Sequence, residues 1–203
     1  MTSKKDFANE LEEDRSQALE SLKKEWKMLV KAYFTEAKWC KEGYMPPYDE
    51  YMMIARVTST IQILMLGCFL GMGAPAKSDT IEWIRSIPKL LEASQIIPRL
   101  LNDITHEVEN ENEHVITGVE CCMEEYGISR EKAVEEVFKK CAYSWKDINE
   151  ECMRPTSVPR KFAMAIVNIN RAAEITYKHD NGFTNQLSLQ DAIASLVVHK
   201  IPL

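Results

Sequence analysis

Arg99-Leu-Leu-Asn102-Asp103-Ile-Thr105-His-Glu-Val-Glu109 sets an arginine, an amide–carboxylate pair, a hydroxyl and a glutamate within three turns of a helix. At about 100° per residue, Asn102, Thr105 and Glu109 share one stripe. All three carry oxygen donors of the kind a hard cation such as Mg2+ takes, and Arg99, one turn earlier, can hold a phosphate. Asp103, Glu107 and Glu111 make a second stripe of three carboxylates, which reads equally as a ligand set or as a solvated acidic face. From Leu100 to Ser129 there is no Lys or Arg against eight acidic residues. Such a segment attracts cations and repels a diphosphate unless metal comes between them. Polar residues at this spacing also occur on ordinary solvated helices, so the stripe alone does not decide a function.

Outward from this stretch the chain reads as helix. Its 203 residues suffice for one core of ordinary size, and only 7 Gly and 8 Pro disfavour strand-and-turn architectures. Seven helical segments are expected. They run from about Phe7 to Lys41, Tyr48 to Gly71, Ser78 to Asn112 with a break at Pro88, Val115 to Tyr126, Arg130 to Glu151, Arg160 to Lys178 and Ser188 to His199. The first carries an apolar stripe through Leu19, Leu22, Trp26, Leu29, Val30, Tyr33 and Ala37. Gly43, Gly127 and the Pro46-Pro47 pair are stop signals, Ser129 is an N-cap, and Pro98 predicts a kink one turn before Asn102. No repeat or low-complexity tract divides the chain.

The net charge of −6 argues against nucleic acid as a partner. Six cysteines without metal spacing read as reduced, mostly buried thiols, and with no apolar N-terminal core and an acid-rich start they suggest a cytoplasmic protein. Val57 to Ala76 carries no charge, but its helical part, about 15 residues, falls short of the ~20 a membrane span needs. A buried central helix, and no membrane span, is expected.

Several further blocks occur in a fixed order: Glu42-Gly-Tyr-Met-Pro-Pro-Tyr-Asp-Glu-Tyr51, Lys89-Leu-Leu-Glu-Ala-Ser94, Gly118-Val-Glu-Cys-Cys-Met-Glu-Glu-Tyr-Gly-Ile-Ser129, Trp145-Lys-Asp-Ile-Asn-Glu150, Met153-Arg-Pro-Thr156 and Thr176-Tyr-Lys-His179. Together with the opening stretch they resemble the plant sesquiterpene synthases of the class I terpene cyclase family. The resemblance runs from about Asp6 to Leu203 and covers the C-terminal part of that family's helical metal-binding domain. It implies an all-α antiparallel bundle, a partial class I terpene synthase fold spanning residues 1–203.

By the same resemblance, a prenyl diphosphate, farnesyl diphosphate foremost, is ionised with Mg2+, or alternatively Mn2+. Asn102, Asp103, Thr105 and Glu109 match the family's second metal motif, Arg99 its diphosphate contact, and Tyr177 and Asp180 its active-site tyrosine and acidic lid. Phe183 stands where a lid Tyr is common. Thr58-Ser59-Thr60 matches a helix break whose carbonyls face the carbocation. The spacing departs from the family pattern: the hydroxyl and Glu come at +3 and +7 instead of +4 and +8. Asn110, Glu111, Asn112 and Glu113 stand where a Lys or Arg usually follows. Asp-Asp-x-x-Asp, the family's first metal motif, occurs nowhere in these residues.

Three readings follow: part of a sesquiterpene synthase, a non-catalytic helical relative, or a generic interaction module. The resemblance also places Val57–Gly71 at the centre of a larger bundle. A helix apolar all round wants burial all round, so uncovered apolar faces and self-association are expected.

Overall fold

The computed structural model describes residues 4–71, 78–105, 115–153, 155–178 and 180–198. Among them are nine α-helices and one 3-10 turn, with no strand. They are α1 (Lys4–Glu42), α2 (Tyr48–Thr58), α3 (Ile61–Gly71), α4 (Ser78–Arg85), α5 (Lys89–Thr105), α6 (Gly118–Tyr126), α7 (Arg130–Glu151), α8 (Arg160–Thr176) and α9 (Gln190–Val197), the 3-10 turn (Gln186–Leu189) leading into α9.

α5 is the centre of the bundle, in contact with α2, α3, α6, α7 and α8. Its sequence explains this position. Leu90, Leu91, Ala93, Ile97, Leu100 and Leu101 are buried around most of its circumference. Each large apolar side chain so buried contributes about 1.5–3 kcal/mol. Pro98 sits inside this helix and cannot bond the carbonyl one turn back, yet α5 runs on to Thr105. The buried Ser94 and Gln95 on its faces have partners, Gln95 bonding the Gln62 side chain. The Asn170 amide on α8 donates to the Ser94 hydroxyl at 2.6 Å.

The helix ends follow local chemistry. Gly43 ends α1 and Gly127 ends α6, both in the left-handed region at φ +64° and +59°. Thr117 and Glu120 form a reciprocal capping box at the start of α6, and the Ser129 hydroxyl accepts from the Lys132 N–H at the start of α7. The segment expected as a helix from Val115 begins at Gly118, because Thr117 holds the extended conformation of a cap.

Two expectations are corrected. Tyr48 to Gly71 is not one helix. It breaks at Ser59 and Thr60, where the resemblance of Thr58-Ser59-Thr60 implied a helix break, and Thr60 takes φ +62°. Tyr48–Phe69 is long and apolar enough by composition to cross a membrane. The break leaves two helices of 11 residues each, both packed on α1 and α5. The apolar stripe of α1 also divides. Leu29, Ala32 and Trp39 face the core, and Ser21 and Glu25 are buried with them. Leu19, Trp26, Val30 and Tyr33 lie on a second, exposed face.

Candidate functional site

One cavity of about 400 Å3 opens where α1, α2, α5 and the chain just before α6 meet, with Tyr177 at its edge. Arg99, Asn102 and Asp103 come from α5, Tyr33 and Glu36 from α1, and Thr58, Ser59 and Thr60 from the helix break. Val115 and Thr117 close the side towards α6. The break thus brings residues to the wall that a continuous helix would carry past it.

Arg99 is the hub of the polar wall. Its guanidinium donates to the Tyr51 hydroxyl through Nε at 2.9 Å and Nη2 at 2.6 Å, and to the Thr58 hydroxyl through Nη1 at 3.2 Å. It pairs with Asp103 at 3.0 Å and with Glu36 at 3.5 Å. Burial opposes its charge, but Asp103, Tyr51 and Glu36 outweigh that and hold it firmly protonated.

Asp103 is buried to 1% exposure. Its Oδ2 accepts from the Tyr51 hydroxyl at 2.7 Å and from the Gly118 N–H at 2.9 Å. A Cβ on residue 118 would lie 3.0 Å from that oxygen and 3.1 Å from the Tyr51 ring, so glycine is what lets the backbone approach. The structure therefore employs the Asp103 carboxylate in joining α2, α5 and α6. Burial and the Asp103 charge push the Tyr51 hydroxyl well above its ordinary pKa.

Of the other residues expected in the site, Asn102 lines the cavity, half-buried, beside Tyr177. Burial raises the pKa of Tyr177, with Arg99 and a hydrogen bond to Asn102 acting in the opposite sense. The Thr105 hydroxyl donates back to the carbonyls of Leu101 and Asn102, at 3.3 and 3.0 Å. Glu109, and with it Glu107 and Glu111, lies outside the described residues. Asp180 is not on the cavity wall. Its carboxylate accepts from the Asn185 amide and the Asn181 N–H, both at 2.7 Å, which hold its pKa below the ordinary value. Phe183 of the same loop lies 6.0 Å from the Tyr177 ring.

Glu36 and Tyr51 were not singled out by the sequence. The Glu36 Oε1 accepts the Thr58 hydroxyl at 2.7 Å, and burial raises its pKa despite Arg99. A signal existed: Glu36 continues the spacing of the buried face Leu22, Glu25, Leu29, Ala32 and Trp39, where a carboxylate needs a partner.

As a cation site, the described donors are incomplete. Asn102 offers one neutral oxygen donor to the cavity, the Thr105 hydroxyl is turned to its own helix, and the Asp103 carboxylate is spent on the core. Among the described residues no three His, Cys, Asp or Glu side chains cluster as a metal site. The fit to Mg2+ rests on Asn102 and Thr105 together with Glu109.

Set beside known proteins, this helical chain falls in an established family. The family of terpene synthase metal-binding domains matches residues 1–147, and the chain belongs to it. A probable sesquiterpene synthase of Santalum austrocaledonicum is 42% identical over 174 residues, which cover 85% of this chain and 31% of that protein. A delta-selinene synthase of Cannabis sativa is 35% identical over 206 residues, covering 100% of this chain and 37% of that one. The chain thus spans about a third of the length of the curated relatives it matches.

Among solved structures, abietadiene synthase from Abies grandis superposes with a TM-score of 0.81 at 20% identity, covering 97% of this chain and 26% of that one. Isoprene synthase from grey poplar leaves, in complex with three Mg2+ ions and dimethylallyl-S-thiolodiphosphate, gives 0.75 at 24%, covering 97% and 40%. These two show the fold.

Proposed function

We propose that this chain supplies one wall of the active site of a Mg2+-dependent sesquiterpene synthase acting on farnesyl diphosphate. The observation that carries the reading is the single cavity shared by Arg99, Asn102, Tyr177 and the Thr58–Thr60 break. Its volume lies in the range of small-molecule sites. Relatives called sesquiterpene synthases and a fold neighbour holding Mg2+ with a diphosphate analogue support it.

Asn102, Thr105 and Glu109 would hold the metal, which when bound takes up the charge that develops on a departing diphosphate. Arg99 would orient the diphosphate oxygens at the cavity edge. Tyr177 would provide an aromatic edge that shelters an apolar, cationic chain from water. In this reading Asp103 and Tyr51 fix the rotamer of Arg99 rather than touch the metal. Asp180 shapes the loop that carries Phe183. The six free cysteines suit a reducing compartment, which agrees with a cytoplasmic protein.

The chain by itself is expected to bind substrate without turning it over, because Asp-Asp-x-x-Asp is absent from its sequence. Calorimetric titration with farnesyl diphosphate should give binding that needs Mg2+ and weakens in Asn102→Ala. Parallel incubations should yield no hydrocarbon. Binding indifferent to both Mg2+ and Asn102 would overturn the site, and a cyclic product at an ordinary enzymatic rate would overturn the expected inactivity.

A further inference from the structure

We propose that a second cavity, a groove between α2 and α7 floored by α5, binds a small apolar monocarboxylate. Lys140 and Ser144 hold the carboxylate, and Met52, Met53 and Ile96 take the apolar tail. The cavity encloses about 460 Å3, shares no lining residue with the first one, and lies in the size range of small-molecule sites.

The groove follows from how the helices pack. α2 and α7 each pack on α5 and on α6, and a trough remains between them with α5 as its floor. Tyr48, Met52 and Arg56 recur every fourth residue along α2, as Lys140 and Ser144 do along α7, so each helix turns one stripe to the groove. Methionine is unbranched and polarizable and adapts to irregular apolar shapes. Met53 stands 59% exposed at this wall, an apolar surface that a ligand's tail would cover.

Charge decides the kind of ligand. The wall carries Arg56 and Lys140 against Asp49, Glu92 and Asp147. Arg56 pairs with Glu92, and Asp147 pairs at 2.9 Å with Lys89 from beyond the wall. The Lys140 ammonium instead rests 4.2 Å from the centre of the Tyr48 ring and pairs with no carboxylate among the described residues. A cation over a ring face keeps donors for an anion. One turn along α7, Ser144 is 4% exposed, and its hydroxyl makes no hydrogen bond to another described residue. The buried Tyr48 hydroxyl is likewise without a partner. Buried polar groups are nearly always bonded, so an open hydroxyl beside an open cation marks a place for a ligand's acceptors. Residues four apart on a helix have Cβ atoms about 5–6 Å apart, within reach of the two oxygens of one carboxylate. A diphosphate would bring further negative charge against Asp49, Glu92 and Asp147, so the groove disfavours the polyanion that the first cavity is read to take.

The test is methionine-methyl NMR on the full chain, with octanoate as the probe, octanol as its uncharged counterpart and melting curves as the control for folding. Met52→Leu and Met53→Leu assign the two resonances. Octanoate should shift both saturably, and octanol should bind more weakly. Lys140→Met should weaken octanoate about tenfold and leave octanol unchanged, because it removes a charge-assisted bond and keeps the apolar wall. Ser144→Ala should weaken octanoate about threefold.

Octanoate shifts confined to Met28, exposed on α1, would mean that the open apolar face takes the tail, and would overturn the groove. Equal octanoate affinity in the unaltered chain, Lys140→Met and Ser144→Ala would overturn it as well. Pyrophosphate that displaces octanoate from Met52 and Met53 would overturn the choice of a monocarboxylate. If Lys140→Met does not fold, Ser144→Ala decides: weaker octanoate binding supports the site, and unchanged binding overturns it.

Discussion

Asp103 shows how a residue that looks like a ligand can be a joint. It accepts from Tyr51 on α2, from the Gly118 N–H at the start of α6, and pairs with Arg99 on its own helix. Removing it leaves a guanidinium 12% exposed without its nearest counter-charge, and two buried donors without an acceptor. Asp103→Ala should therefore destabilise the chain by about 3–5 kcal/mol, read from the urea midpoint. A loss below 1 kcal/mol would mean the carboxylate is not structural.

Glu25 gives the opposite case. It is buried on the core face of α1, and burial raises its pKa against the pull of Arg85. A raised carboxylate pKa means the folded chain binds more protons than the unfolded one. The carboxylate's burden on stability is absent below the unfolded pKa and grows as pH rises through the folded value. Glu25→Gln should raise the melting temperature at neutral pH, with the advantage shrinking as pH falls from the raised folded value and gone below the ordinary carboxylate pKa. An advantage unchanged by pH would exclude ionisation as its cause.

At the scale of elements, the break between α2 and α3 is where local and tertiary preferences disagree. Val57 to Gly71 carries no charge and few breakers, and sequence period alone continues the helix through it. The chain instead places Thr60, a β-branched residue, at φ +62°. That conformation costs on the order of 1–2 kcal/mol, and strained positions of this sort gather at functional sites. In return, Thr58, Ser59 and Thr60 all reach the cavity wall. Thr60→Asn, which tolerates the left-handed region, should stabilise the chain by about 1 kcal/mol, or roughly 2–4 °C in Tm for a domain of this size. Thr60→Val should not. Equal melting temperatures for the Asn and Val variants would show that strain at residue 60 is not stored there.

For the whole molecule, the apolar surface is distributed differently from expectation. α3 is better covered than its composition suggested: Ile61, Met65, Leu66 and Phe69 are buried, and Leu64 is exposed at 46%. The open face lies chiefly on α1, where Leu19, Trp26, Val30, Tyr33 and Phe34 stand between 47% and 72% exposed. α9 adds Ile193, Leu196 and Val197, all exposed. Apolar surface in runs of this kind favours association. The isolated chain should bind a hydrophobic dye and sediment above monomer mass, and Trp26→Lys with Val30→Lys should reduce both. A monomer with a sharp two-state melt and no dye binding would show that these faces need no cover.

The sequence by itself determined the helical class, most helix ends and the family, because these rest on local chemistry: glycine at left-handed caps, the Thr117–Glu120 and Ser129 caps, apolar periodicity and ordered blocks of motif. It also brought Arg99, Asn102 and Tyr177 to notice, which the structure sets around one cavity. Tertiary structure decided what local rules leave open. It chose which of two apolar faces of α1 turned inward, since both have helical period and only packing distinguishes them. It put Thr60 in the left-handed region within the break that Thr58-Ser59-Thr60 had suggested by resemblance. It gave Asp103 to the core and set Glu36, sixty-odd residues away along the chain, against Arg99, because a carboxylate's role depends on which donors surround it in space, and no spacing along one helix encodes that.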